Sequence, residues 1–280
     1  MKHLYEYMNY RDYLRDSYDE KKRDHPFYSF RLFSQKAGFS SPNFLKLVID
    51  AKRNLSKESV FKFSKALSHN KKEAEYFENL VFFNQSRTLE EKSTYLSKLI
   101  KYRRKSDPKK IEESEYSYYS EWYHPVIREL VTAIDFKSDY KALGRAVIPS
   151  ISPYEAEKSV KLLLDLAFIE KTDNGRYAKS AATLTTGPLV RSIAVANYHK
   201  AMMQRASESI ERFPASQRDI SSLTLSISNE TMGAMIERLR EFRRELLDIA
   251  DADNDPDMAV QVNFQLFPLC APFTSGARQP

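Results

Sequence analysis

The chain has 280 residues, of which 42% are hydrophobic and 29% charged, with six glycines, five histidines, a single cysteine and a formal net charge of +6 at pH 7. That length can bury the cores of two or three domains, while the lone Cys270 excludes an internal disulfide and a cysteine-built zinc site, and His3, His25, His69, His124 and His199 are scattered rather than spaced as ligands. The charged N-terminal stretch lacks the apolar centre of a secretion signal and no later run approaches the ~20 apolar residues of a membrane span, so a reducing cytoplasm and no membrane partner are expected.

The charge is unevenly distributed. Residues 1–110 carry 25 Lys+Arg against 14 Asp+Glu, or +11, and residues 111–280 carry the remaining 19 against 24, or −5. A basic front attached to an acidic rear suggests a polyanion-binding first domain, although a basic half can also be ordinary solvated surface.

In chain order, residues 4–22 place Tyr7, Tyr10, Leu14 and Tyr18 at helical spacing and predict one amphipathic helix. Ser29 can cap a second helix with Phe30, Phe33 and Ala37 on one face, and Gly38 supplies a left-handed C-terminal residue. Ser40 or Ser41 can cap a third, with Pro42 in its first turn and Phe44, Leu45, Val48 and Ile49 as its buried face. Ser56 opens a fourth with Val60, Phe63, Ala66 and Leu67 in register, and "KKEAEYFENLVFFNQS" a fifth.

Residues 88–133 read as further helix broken at "KSDPKK", the candidate first domain boundary. Two helices follow, in "DYKALGRAVIP" and "SPYEAEKSVKLLLDLAFIEK", and then a hairpin, because Asn174-Gly175 between two short β-type runs is a strong turn signal. Helix, helix and two-stranded wing make a winged-helix pattern. The last third predicts a long helix ending at Pro214, a strand in "DISSLTLSIS", a helix capped by Asn229 and a strand in "MAVQVNFQLFPL". Two strands alone are seldom stable, so that sheet is expected to continue from the winged-helix part or across a partner chain. The fold class is therefore mainly α: a helical domain over 1–106, a winged-helix-like domain over 107–186 and an α+β dimerisation or sensor region over 187–280.

The sequence contains no Gly-rich phosphate loop, no "HExxH", no Cys–His pairing and no nucleophile elbow. Neither an enzyme nor a bound cofactor or metal is expected.

The helix over 30–37, the turn at 38–40 and the helix over 41–49 form a helix-turn-helix, in which the second helix would enter a major groove. Across residues 29–68, "SFRLFSQKAGFSSPNFLKLVIDAKRNLSKESVFKFSKAL" resembles the lambda-repressor-like, Xre-type DNA-binding domain. Ala51 departs from that pattern, standing where such domains usually have Gly. Together with "YRDYL", "YFENLVFFNQS", "AFIEKTDNGRYAKS", "RDISSLTLSIS" and "QVNFQLFPL", nearly the full length of the chain is similar to a poorly characterised bacterial family, regarded as transcriptional regulators, that joins this helix-turn-helix to a C-terminal domain of unknown function.

The resemblance implies double-stranded DNA as partner. Ser41, Asn43 and Lys46 would face base edges, and Arg31, Gln35, Lys52, Arg53 and Asn54 the sugar-phosphate backbone. The presumed recognition helix of the wing begins with Glu155 and Glu157, which repel phosphates, so packing or dimerisation suits that segment better than a second DNA contact. The expected protein is a homodimeric transcriptional regulator, with an effector left open. An alternative makes the C-terminal part the working end, a protein-interaction module or one whose Arg238, Arg240, Arg243 and Arg244 take an anionic ligand such as a nucleotide messenger. Interleaved Glu237, Glu241 and Glu245 offer those arginines a plainer role. RNA ranks third, since the aromatic residues keep core periodicity.

Overall fold

Capping chemistry divides the chain into helices at most of the expected places. The structure, a computed structural model, describes residues 2–106, 114–180 and 188–271, and among these it contains twelve helices and one two-stranded sheet, so the fold is mainly α. The expected domain boundary at "KSDPKK" falls largely on residues 107–110, outside the described residues, as does the boundary at 186–187. None of the described helices is long and apolar enough to cross a membrane. The chain divides into two compact units, residues 1–120 with 183–197, and residues 121–182 with 198–280.

The first unit contains α1 (Tyr10–Asp24), α2 (Phe30–Lys36), α3 (Phe44–Ile49), α4 (Lys57–Leu67), α5 (Lys71–Gln85), α6 (Leu89–Ser106) and α7 (Ser114–Tyr119). The single helix expected over 4–22 is split: a 3-10 turn covers Leu4–Glu6, and Asn9 restarts the chain by accepting a hydrogen bond from the backbone of Arg11. An Asx side chain that satisfies an orphan N–H favours a new helix start over continuation. Ser29, Ser56 and Asn70 cap α2, α4 and α5, and at Asn70 the side chain of Glu73 returns a bond to the cap backbone, closing a capping box. The shared core is aromatic. Tyr10, Phe33, Phe63, Tyr76 and Phe77 are fully buried in it, and Phe63 meets Phe33, Phe39 and Phe44 edge to face.

The second unit begins with α8 (Tyr123–Ala133), α9 (Tyr140–Ala146) and α10 (Pro153–Asp165), then β1 (Ile169–Lys171) and β2 (Tyr177–Lys179). The strands pair antiparallel with Ile169 opposite Lys179, and Gly175 takes φ +81 in the expected turn. Gly144 is required for another reason: a Cβ there would lie 2.6 Å from the carbonyl oxygen of Ile151, whose own N–H is donated to the Gly144 carbonyl. Ile127, Leu143, Val160, Leu163 and Ile169 close the core around a buried pair, His124 Nδ1 at 2.8 Å from Ser159 Oγ. Ser159 donates its own hydrogen to the Glu155 carbonyl, so the imidazole is the donor in that pair. Burial first, and then Lys158, lower the pKa of His124 to about 4.

The long helix α11 (Pro188–Arg212) joins the first unit through Ile193 and the second from residue 198 onward. The final helix α12 (Asn229–Asp251) starts one residue earlier than expected, since its cap is Ser228, which accepts from the backbone of Thr231. Around it lies the main departure from expectation. Residues 219–228 and 258–269, both read from the sequence as strands, run without turn or helix over 218–228 and 256–268 but pair with no strand among the described residues. The sheet formed where its strands are joined by a short turn. Here a 23-residue helix, about 34 Å long at 1.5 Å per residue, separates the two candidates, and neither meets a second edge.

Candidate nucleic-acid interface

The pair α2 and α3 is held in place from the turn outward. Gly38 sits at φ +73, and the N–H of Phe39 reaches back to the Ser34 carbonyl while that of Gly38 reaches Gln35, the double bond pattern of a Schellman C-cap. The buried Ser34 hydroxyl then donates to the carbonyl of Pro42, 3.2 Å away, pinning the far side of the turn. Phe39 stacks on Phe44 at 4.4 Å between ring centroids. These contacts fix where α3 leaves the turn.

Helix α3 buries Leu45, Val48 and Ile49 and leaves Lys46 outside. Its N-cap is Asn43, not Ser40 or Ser41, and the Asn43 side chain makes no capping bond. The reason is local: Phe44 donates its N–H to the Ser41 carbonyl, so Ser41 to Phe44 close a turn before the helix begins. Ser41, Asn43 and Lys46 are all exposed at this end of α3, and so are Arg31 and Gln35 on α2 and Lys52, Arg53 and Asn54 in the loop that follows.

That loop is a second Schellman cap. Lys52 and Ala51 donate their N–H groups to the carbonyls of Leu47 and Val48, with Ala51 in the left-handed region at φ +59. At Ala51, where the resemblance leads one to look for Gly, a methyl group is therefore carried in a region that L-residues enter at a cost of roughly 1–2 kcal/mol.

Two residues not singled out from the sequence hold this loop. Arg11 of α1 donates to the carbonyls of Val48 and Arg53, the latter at 3.0 Å, and to Asn54 Oδ1 at 2.7 Å. Gln85 at the end of α5 accepts from the Leu55 N–H at 2.8 Å and returns a bond to the Leu55 carbonyl at 2.9 Å. The Asn54 oxygen is thereby taken up by Arg11, which makes Asn54 a loop brace as well as an exposed amide. Arg11 lies within "YRDYL", but sequence spacing gives no sign that residue 11 meets residues 48–54 or that residue 85 meets residue 55.

Helix α10, read from the sequence as a second possible recognition helix, is built differently. Ser152 caps α10, and the carboxylate of Glu155 accepts from the Ser152 hydroxyl and from the Ser152 backbone, both at 2.7 Å, bonds that in that order lower its pKa. Glu155 thus completes a capping box, and Glu157, Lys158 and Lys161 are exposed beyond it.

Residues 102–269 match the family model of a domain of unknown function, DUF4423. The chain belongs to the DUF4423 family. The DUF4423 span runs from the last turns of α6 to the second extended segment and leaves residues 29–68 outside it, so the rear of the chain is an uncharacterised C-terminal domain. No curated protein and no solved structure matches the chain.

Proposed function

We propose that the protein is a cytoplasmic, homodimeric transcriptional regulator that binds double-stranded DNA through an Xre-type helix-turn-helix over residues 29–68, with the DUF4423 region serving dimerisation and signal sensing. The observation that carries this reading is the two-sidedness of α3. Its apolar side is sealed into the aromatic core, while Ser41, Asn43 and Lys46 face outward beside Lys52 and Arg53 on a loop braced by Arg11 and Gln85. A short helix with amide and ammonium groups outward, flanked by cations on a stiff loop, suits base-edge reading with phosphate anchoring. The excess of +11 over residues 1–110 adds the sequence-independent attraction.

The alternative reading of the α12 arginines as an anion site has less support. Arg238 and Arg240 are spanned by Glu241 and Glu237 at 2.9 and 2.5 Å, and the Arg243 guanidinium lies over the ring of Phe264.

The test is salt-dependent DNA binding. Replacing Lys52 and Arg53 together by Ala should weaken binding to every duplex and lower the slope of log affinity against log salt by about 2, roughly 0.9 for each phosphate left without its cation. Asn43→Ala should instead relax base preference. A double variant that binds as tightly as the parent at every salt concentration overturns the placement.

A further inference from the structure

Residues 218–271 contain a second unused surface, and it is apolar. Of the twenty-one large hydrophobic side chains exposed among the described residues, twelve lie between positions 220 and 269, with Leu223 83% and Val260 75% exposed. Helix α12 buries none of its 23 residues, although its sequence is amphipathic and includes Phe242, Leu247 and Ile249. The flanking extended segments have strand composition. Within 219–227 and 256–269, no main-chain N–H or carbonyl makes a backbone hydrogen bond with another described residue. The segments are nevertheless anchored: Arg218 donates to the Phe213 carbonyl at 3.0 Å, Asn263 to the Met202 carbonyl at 3.0 Å, and Phe264 packs edge-on against Phe242. An anchored strand–helix–strand arm with open ladders and an open apolar face lacks a partner.

Several kinds of occupant fit poorly. The stretch 218–271 holds five Arg and no Lys against ten Asp+Glu, a balance of −5, which disfavours nucleic acid and an anionic lipid surface. A small molecule cannot cover apolar side chains spread over some fifty residues. A second copy of the chain fits better. Each arm carries two unpaired extended segments and the apolar face of one amphipathic helix, so a two-fold axis would set each of these elements on one copy against the same elements of the other, the self-complementarity of an isologous interface.

The area is also adequate. Taking 25 cal/mol/Å² and 1.5–3 kcal/mol per buried side chain, the exposed parts of those twelve residues amount to on the order of 400–900 Å². A standard interface buries about 800 Å² per partner.

We propose that residues 218–271 are the dimer interface, in which the two extended segments and α12 of one copy pack against those of a second copy and share one β-sheet with them. The proposal deepens the homodimer reading given above and rests on it, but it does not depend on DNA binding. Forming the shared sheet would pair main-chain groups that have no ladder in the single copy and cover Leu223, Leu225, Val260 and Val262 in one step.

The test uses the full chain, sedimentation velocity and amide hydrogen exchange. The parent should sediment as a dimer, and amides in 219–228 and 258–269 should gain protection as protein concentration rises. Leu225→Lys with Val262→Lys, at side chains exposed in the single copy, should leave the helical circular dichroism unchanged. It should raise the dimer dissociation constant by about 100-fold or more, at tenfold or more for each lysine driven into the interface, and the segment protection should disappear. A parent that is monomeric at every concentration, a double variant that stays dimeric, or a dimer whose two segments exchange freely would each overturn the proposal. Failure of the DNA reading gives a different result: the dimer persists and the Lys52 and Arg53 substitutions leave duplex binding unchanged.

Discussion

The α2–α4 region over 29–68 and the arm over 218–271 contain similar kinds of residue and treat them in opposite ways. In the first, Phe33, Leu45, Val48 and Phe63 are sealed by their own neighbours, and the turns on either side of α3 end in caps that satisfy their backbone. In the second, leucines, valines and isoleucines of equal hydrophobicity lie open, and two stretches of main chain have no ladder. A segment whose partners are near in sequence can finish its burial alone, whereas one that needs a distant or separate edge shows its pattern without its contacts.

The largest effect expected from this contrast comes from a core deletion set against a surface one. Phe63→Ala removes the ring on which Phe33, Phe39 and Phe44 converge and should cost about 3–5 kcal/mol, enough to lower the unfolding midpoint sharply and to loosen α3. Leu223→Ala, at a protein concentration where the chain sediments as a monomer, should change unfolding by no more than about 0.5 kcal/mol. Equal losses at the two positions in chemical denaturation would erase the distinction, because the arm would then have to be packed within a single copy.

Much of the first region was legible from sequence because its signals are local. Ser29, Gly38 and Ser56 each act on backbone within three or four residues and do what their chemistry implies, as Asn174-Gly175 does in the hairpin of the second unit. Asn43 in place of Ser40 or Ser41 as the cap of α3 is a shift of two or three residues, caused by a turn that takes the Phe44 N–H. The clamp made by Arg11 and Gln85 was not legible. It joins residues 37–43 and 30 positions apart in the chain through flexible polar side chains that carry no periodicity. The arm was half legible: its composition marks strand-forming sequence, but alternation cannot name the edge that a strand will pair with.

The next effect, intermediate in size, probes what the two units share. Each desolvates one histidine: half-buried His69, beside Tyr13 and Ser64, and buried His124, beside Ser159. Desolvation is the main cause in both, and each pKa falls from 6.5 to about 4. In the unfolded chain these groups take up protons below pH 6.5, while the folded chain resists until about pH 4. The stability they confer is therefore full above pH 6.5 and is lost as pH falls through that window. By linkage each histidine should remove about 2 kcal/mol between pH 7 and pH 5, and no more than about 3 kcal/mol in all. His124→Asn should reduce the difference between denaturation curves at pH 7 and pH 5 by about the share of one histidine. A difference unaltered by that substitution would mean that the buried imidazole is protonated in the folded unit.

The smallest effect concerns a single methyl group. Ala51 holds φ +59 at the end of α3 because three independent restraints leave it no alternative: the Schellman bonds to Leu47 and Val48, the Arg11 bonds to Val48 and Arg53, and the Gln85 bonds to Leu55. Each is satisfied at that backbone angle, so relaxing Ala51 would break hydrogen bonds worth about 1 kcal/mol apiece. Replacing it by Gly relieves the left-handed cost of roughly 1–2 kcal/mol but returns about 0.5–1 kcal/mol of freedom to the unfolded chain. The balance favours Ala51→Gly by about 0.5–1 kcal/mol, readable as a raised midpoint in chemical denaturation with the slope unchanged. The exposed cations beside it should keep their positions, so on the proposed DNA-binding reading affinity for duplex and its salt slope should match the parent. A destabilised Ala51→Gly protein would show that the methyl group contributes packing at this loop, and the stiffness attributed to the Arg11 and Gln85 clamp would then belong in part to Ala51.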